Sequence, residues 1–258
     1  MGSTVRNVAT IAGKELRGYF NSPIAWMLMG FFALIFGYMY NVYLEYFVRQ
    51  SMQTQFGGGQ TTNVNTDMIR PLLAQASVVV LFLLPMVTMR TYSEEKRSGT
   101  IELLLTSPIT DLEITLGKFL GAVAMYLGFM AVVFVYILAL FGLGSPEWKP
   151  ILSGFAGLVL LGASFISVGL FISSTTKNQV VAGAATFAVL LLLWIINWSS
   201  SNATGIWADV LNYLSVTSHF DDFGKGVIDT THVVYYVSFI AFGLFLTLKS
   251  VDTERWRG

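Results

Sequence analysis

Glu94, Glu95, Lys96 and Arg97 stand side by side, followed by Ser98-Gly99-Thr100, then by Ile101-Glu102-Leu103-Leu104-Leu105 and the stop Thr106-Ser107-Pro108. Carboxylates and cations ahead of a glycine break and a leucine-rich turn suit recognition chemistry rather than bond breaking. Ion pairs would fix an orientation, and the leucines would supply apolar contact area. The run lies between two long uncharged stretches, where a plain connecting loop needs only to be polar.

Other chemistries find little support. The chain has no cysteine, which excludes disulfides, thiolate metal sites and thiol catalysis. Gly57-Gly58-Gly59 is not followed by the lysine of a phosphate loop, and Lys118 lacks the glycine-rich turn before it. Neither a zinc-protease helix nor a nucleophile elbow occurs, so the sequence predicts no catalytic residue. His219, Asp221, Asp222 and His232 are metal-ligand types, but their spacing matches no metal template. Phe220 and Phe223 among them suggest an interfacial turn instead, and no metal site is expected.

The elements that must position the charged run are apolar helices. Of 258 residues, 54% are hydrophobic and 12% charged, about half the charged share of a soluble domain. Stretches near 24–44, 72–89, 119–143, 151–172 and 180–198 carry no Asp, Glu, Lys or Arg. A sixth, near 232–249, is completed by Thr231, His232 and Lys249 at its ends. A bilayer span needs roughly 17–25 such residues, so an all-α, six-span membrane protein is predicted. Uncharged spans also argue against an ion-coupled transporter or a voltage sensor, which keep ionisable groups at depth. The first apolar stretch is too long for a cleavable signal and is expected to stay as an anchor.

Charge bias gives an orientation. Arg6, Lys14 and Arg17 precede the first span; Arg90, Lys96, Arg97 and Lys118 lie between spans two and three. Lys177 lies between spans four and five, and Lys249, Arg255 and Arg257 follow the last. The alternate loops hold only Arg49, Arg70, Lys149 and Lys225. Both termini are therefore expected in the cytoplasm. Formal net charge is zero, and nothing points to nucleic acid. Gly57 to Asn63 is expected to be a mobile hairpin tip. Before the first span, Val5, Val8, Ala9, Ala12, Leu16, Tyr19 and Phe20 recur at helical spacing. This predicts an amphipathic interfacial helix over 1–23 whose cations, Lys14 and Arg17 among them, face lipid phosphates. Asn21-Ser22-Pro23 ends it.

Within the central run, the pattern predicts a charged helical extension to Arg97, a break at Gly99 and a short helix at Ile101–Leu105. A stop follows, and then a helix with Thr110 and Glu113 in capping-box spacing. The leucines must find an apolar surface, either beneath their own spans or on a partner. Periodicity leaves both readings open. The small residues Gly154, Gly157, Gly162, Ala163, Ser164, Ser167 and Gly169 read as packing surface. Gly117-x-x-x-Gly121 is too common a spacing to argue from.

The run Glu94 to Pro108 resembles the cytoplasmic motif of ABC-2 type transporter permeases. Lys14-Glu15-Leu16-Arg17-Gly18-Tyr19-Phe20-Asn21-Ser22-Pro23 and His219 to Asp229 are similar to the same family, especially its gliding-motility-associated branch. The resemblance covers nearly the whole chain and implies a single permease domain over 1–258 in the inner (plasma) membrane. It implies a connecting helix that includes Lys14, Glu15 and Arg17, and a coupling helix near Ile101–Thr106. It also implies re-entrant outer helices between spans five and six, where Ile206, Trp207, Val210, Leu211 and Leu214 have amphipathic spacing. Two permeases would pair, as a homodimer or heterodimer, each docking an ABC ATPase subunit that carries ATP and magnesium. Glu94, Glu95, Lys96, Arg97, Gly99, Thr100, Ile101, Glu102, Leu103, Leu104 and Leu105 would form the docking surface. The implied function is ATP-driven export of an unknown substrate. The alternative is a non-transport adaptor relaying ATPase motion to an envelope or gliding-motility assembly.

Overall fold

A computed structural model of the chain describes residues 2–55, 62–142, 144–202, 210, 213 and 215–255. Among these the fold is helical, without a strand. Six helices are long and apolar enough to cross a membrane, and they are the elements expected from the uncharged stretches.

The chain begins with α1 (Gly2–Asn21), which breaks at Ser22 and continues into α2 (Pro23–Gln55). Proline opens α2 because its missing N–H costs nothing at the first helical position. Trp26 Nε1 donates to Phe20 O at 2.9 Å across the corner, and the two rings pack at 5.5 Å. This helix runs well past the expected span of 24–44. Neither glycine nor proline falls between Tyr38 and Phe56, and Glu45 pairs with Arg49 one turn on. The Gly57–Asn63 tip lies mostly outside the described residues.

A π-helical turn (Asn65–Ile69) leads into α3 (Arg70–Thr88). Then come α4 (Ser93–Ser98), α5 (Thr100–Leu105), α6 (Asp111–Leu140), α7 (Trp148–Thr175) and α8 (Gln179–Asn202). The chain ends with α9 (Val216–Gly224) and α10 (Thr230–Arg255). Of the residues expected to build a re-entrant segment, only Val210 is described.

The core is built on α7, which touches α3, α6, α8, α9 and α10. Its small residues let neighbours approach closely, as lipid-embedded packing requires. A side chain added at Gly162 would collide with Tyr126, and one at Gly169 with Thr88. Tyr126 donates from its hydroxyl to Leu158 O at 2.7 Å. The buried hydroxyls of Thr88, Ser164, Ser167, Thr186 and Thr247 bond carbonyls one turn back. Polar atoms at depth are thereby satisfied without water, which a bilayer core demands. By contrast, α2, α8 and α10 bury little of their apolar surface within the chain.

The helices meet at two chemically different ends. One gathers α1, α4, α5, the α7–α8 turn and the C-terminal part of α10. The other gathers the π-helical turn, the start of α7, α9 and the start of α10.

Candidate functional site

The charged run folds into the turn between α3 and α6. At Gly99 the backbone reaches φ 73°, a left-handed conformation that glycine adopts without strain. This is the predicted break. Thr110 and Glu113 form the predicted capping box: Thr110 Oγ1 accepts from Glu113 N, and Thr110 N donates to Glu113 Oε2 at 2.9 Å. That backbone hydrogen bond holds the Glu113 carboxyl below its ordinary value.

The start of α4 has a cap that no local spacing announces. Tyr92 N and Ser93 N donate to Ser173 Oγ of α7 at 3.1 and 3.2 Å, and Ser173 Oγ donates to Met89 O at 3.0 Å. Ser93 Oγ also donates to Met89 O. A side chain from a distant helix thus satisfies the orphan amides that every helix start presents.

The run itself divides between an inner and an outer face. Lys96 is buried and its Nζ lies 2.6 Å from Glu254 Oε1 of α10. Glu95 turns inward to the Lys118 ammonium, 2.9 Å away. Ile101 is buried, and Leu104 is partly buried against the same core. Glu94, Arg97, Gly99, Thr100, Glu102 and Leu103 are exposed, with Leu103 at 73%. Nothing is described for the side chain of Leu105. The choice between self-packing and an open surface is therefore settled residue by residue. Ile101 and Leu104 pack inward, and Leu103 does not.

Lys118 is the residue that the sequence did not single out. It is 1% exposed, yet its ammonium lies 2.8 Å from Glu15 Oε1, 2.8 Å from Thr91 O and 2.9 Å from Glu95 Oε2. The Tyr92 ring sits 5.0 Å from the same nitrogen. One cation therefore joins α1, α4 and the turn after α3 to α6. Removing a charge from water costs several kcal/mol or so, which close oxygens must offset. Lys14, largely exposed, reaches Glu95 at 3.5 Å, while Arg17 is exposed.

The helix α1 is more than a surface anchor, because it lies in a groove of α6. A Cβ at Gly117 would fall 2.6 Å from Ile11 Cβ, and one at Gly121 would fall 2.7 Å from Glu15 Cβ. The Gly117-x-x-x-Gly121 spacing is thus the seat of α1. The signal available was one lysine between two glycines at the mouth of an apolar run. Its partners, Glu15 and Glu95, are too distant in sequence to be matched to it by spacing.

Beside this block, an apolar groove opens between α3 and α8, lined by Phe82, Pro85, Met86, Val180, Ala184 and Phe187 among others. At the opposite end, His219, His232 and Asp222 meet, while Asp221 is exposed. Among the described residues no group of three or more His, Asp or Glu side chains is arranged to hold a metal.

Comparison with known proteins matches residues 9–248 to the family described as ABC-2 family transporter protein. Two curated relatives carry the description probable multidrug ABC transporter permease YbhR, from Escherichia coli strain K12 and from Escherichia coli O157:H7. Each is 26% identical over 143 residues, covering 55% of this chain and 38% of the relative. The chain thus aligns with well under half the length of these relatives. Six membrane-crossing helices, a structured turn between the second and third, and a family match over almost the whole sequence agree: the chain is an integral membrane protein of the ABC-2 transporter family.

Proposed function

We propose that the chain is the membrane-embedded permease subunit of an ATP-driven ABC-2 exporter, and that α5 docks a separate ATPase subunit. In this reading both termini and the α4–α5 turn face the cytoplasm across the inner membrane. The whole chain acts as one permease domain, paired with a second copy or a relative. It carries no catalytic group, and ATP and magnesium belong to the partner.

The observation that carries the reading is Leu103. It is exposed on a helix whose Ile101 and Leu104 are engaged, and it stands beside the exposed Glu102, Arg97 and Glu94. Covering such a leucine contributes about 1.5–3 kcal/mol, and the surrounding charges would orient the partner. Behind it, Lys118 and Lys96 tie α4 to α1, α6 and α10. A push on α5 would therefore move those helices together rather than bend a loop.

Leu103→Asp tests the docking. An ABC ATPase subunit that co-purifies with the wild-type chain should be lost, while the thermal midpoint of the permease stays unchanged. Retained ATPase binding would overturn the docking role. Leu104→Asp is a poor probe, because that side chain packs against the core and its loss would confuse folding with docking.

Export is separated from a mechanical adaptor role by ATP-dependent movement of cargo into vesicles holding both subunits. The name of the curated relatives makes drug-like apolar compounds the first panel. Failure across broad panels, with the ATPase bound and active, would favour the adaptor. Membership in the gliding-motility branch rests on the resemblance of Lys14–Pro23 and His219–Asp229. A motility defect on deleting the gene would support it.

A further inference from the structure

The short helix α9 is fastened to α10 by a chain of hydrogen bonds that the docking reading does not use. His219 Nε2 lies 3.0 Å from Tyr213 O. His219 Nδ1 lies 2.7 Å from His232 Nδ1, and His232 Nε2 lies 2.9 Å from Asp222 Oδ2. His219 is buried and its ring stacks on Tyr235 at 3.9 Å.

The protons in this chain can be counted. A peptide carbonyl and an ionised carboxylate only accept. Both Nε2 atoms must therefore carry hydrogen. The contact between the two Nδ1 atoms needs one more, on either ring. Three N–H groups on two imidazoles means that the pair holds one positive charge. With two hydrogens, one contact sets lone pair against lone pair. With four, two N–H groups face each other. Only one protonation level completes the network.

The surroundings favour that level. Lys225 Nζ lies 2.6 Å from Asp222 Oδ1, and its hydrogen bond, with that of His232, holds the Asp222 carboxyl below its ordinary value. The carboxylate thus remains an acceptor through the neutral range. Burial lowers His219 from its ordinary value, so charge is disfavoured on that ring and the shared charge of the pair is drawn to the side facing Asp222. Asp221 on α9 and Asp229, bonded to Thr231 N, are the other nearby acids, and Asp229 also bears electrostatically on His232. Tyr213, Tyr235 and Tyr236 are the phenols beside the rings. Of the helices packed under α9, α3 offers only Arg70, which lies against Gly224, α7 offers only Lys149, and α8 has no titratable residue.

We propose that His219 and His232 form a single-proton binding site that latches α9 to α10, releasing α9 when that proton leaves or a second arrives. What the latch holds in place is visible on α7. Phe220 and Phe223 of α9 fill the notch at Gly157, where an added Cβ would sit 2.6 Å from Phe223 Cβ. Tyr236 OH reinforces the seat by donating to Val216 O at 2.7 Å. The inference does not depend on ATPase docking and stands or falls separately from it.

The chain contains only two histidines, so labelling histidine with nitrogen-15 reports this pair alone. Ring spectra of the full chain in lipid nanodiscs, followed from about pH 5 to about pH 8, should show two separate proton steps. Between them lies a plateau with three N–H groups, where His219 keeps hydrogen on Nε2. Such coupled steps belong to the pair rather than to either ring. Asp222→Asn, a partly exposed and mild change, should shrink the plateau. Amide exchange over 216–224, corrected for the chemical rate, should be slowest on the plateau and rise about ten- to hundredfold beyond it, the scale of one hydrogen bond to a charged group. Two rings titrating in a single step, alike in wild type and Asp222→Asn, would overturn the site. A plateau without any change in α9 exchange would overturn the latch.

Discussion

At the end formed by α1, α4 and α5, a lysine is buried among the oxygens of Glu15, Thr91 and Glu95, whereas at the opposite end two histidines share hydrogen bonds with Asp222 and Tyr213. Both are polar clusters inside an apolar protein, and both join a short helix to a long one. They differ in how their groups are held. One ammonium held by oxygens of α1, of the turn after α3 and of α4 ties these elements to α6 at once, so that end behaves as a fixed block. In the proposed latch the imidazole pair shares one proton, so that end would change state when the proton count changes. A fixed block suits the transmission of force, and a titrating contact suits gating.

The largest test of this contrast is Lys118→Met. It leaves Glu15 and Glu95, both largely buried, without their shared ammonium, and only the exposed Lys14 remains beside Glu95. Breaking a buried pair in this way costs about 3–5 kcal/mol. Thermal unfolding in detergent should show a large fall, and proteolysis should release α1. If Lys118→Met with Glu15→Gln and Glu95→Gln is no more stable than Lys118→Met alone, the ion cluster is not what holds the block.

Gly117→Leu comes next, because even one added carbon meets Ile11 at 2.6 Å. Overpacking of this kind costs about 1–3 kcal/mol. Amide exchange should rise along α1 and stay unchanged in α9, which would show that the two ends are independent. Ser173→Ala leaves the amides of Tyr92 and Ser93 without their acceptor. The expected loss is about 1–3 kcal/mol, read as exposure of α4 to exchange.

Acid sharpens the comparison further. Glu113 has its folded-state value lowered, chiefly by the Thr110 backbone hydrogen bond. Its contribution is complete above the ordinary 4.5 and is lost only as pH falls through the lowered folded value. Asp222 follows the same sign. On acidification the histidine latch should therefore open before the α6 cap frays, which site-resolved exchange can order in a single titration. The smallest effect on stability is expected from Leu103→Asp, within about 0.5 kcal/mol, because that side chain is exposed. A large destabilisation would mean that α5 is part of the core and not an open surface.

Much of this architecture was legible in the sequence. Uncharged stretches marked six spans, since a bilayer tolerates little else. Gly99 and the Thr110–Glu113 spacing marked the break and the cap, because backbone geometry and helix ends are local problems. The pairings were not legible. Glu15 meets Lys118 across 103 positions, and Lys96 meets Glu254 across 158. Gly117-x-x-x-Gly121 offered no sign of whether it seats another span or the leading helix.

The sequence by itself determined the solvent of each segment and the places where helices must stop, because hydropathy, proline, glycine and caps act within a few residues. Only the tertiary structure decided which charges of the Glu94–Arg97 run turn inward, that Leu103 alone of Ile101, Leu103 and Leu104 stays open, and that His219 faces His232. Those outcomes depend on which helix lies beside which, and side-chain chemistry over such distances is set by packing and not by spacing along the chain.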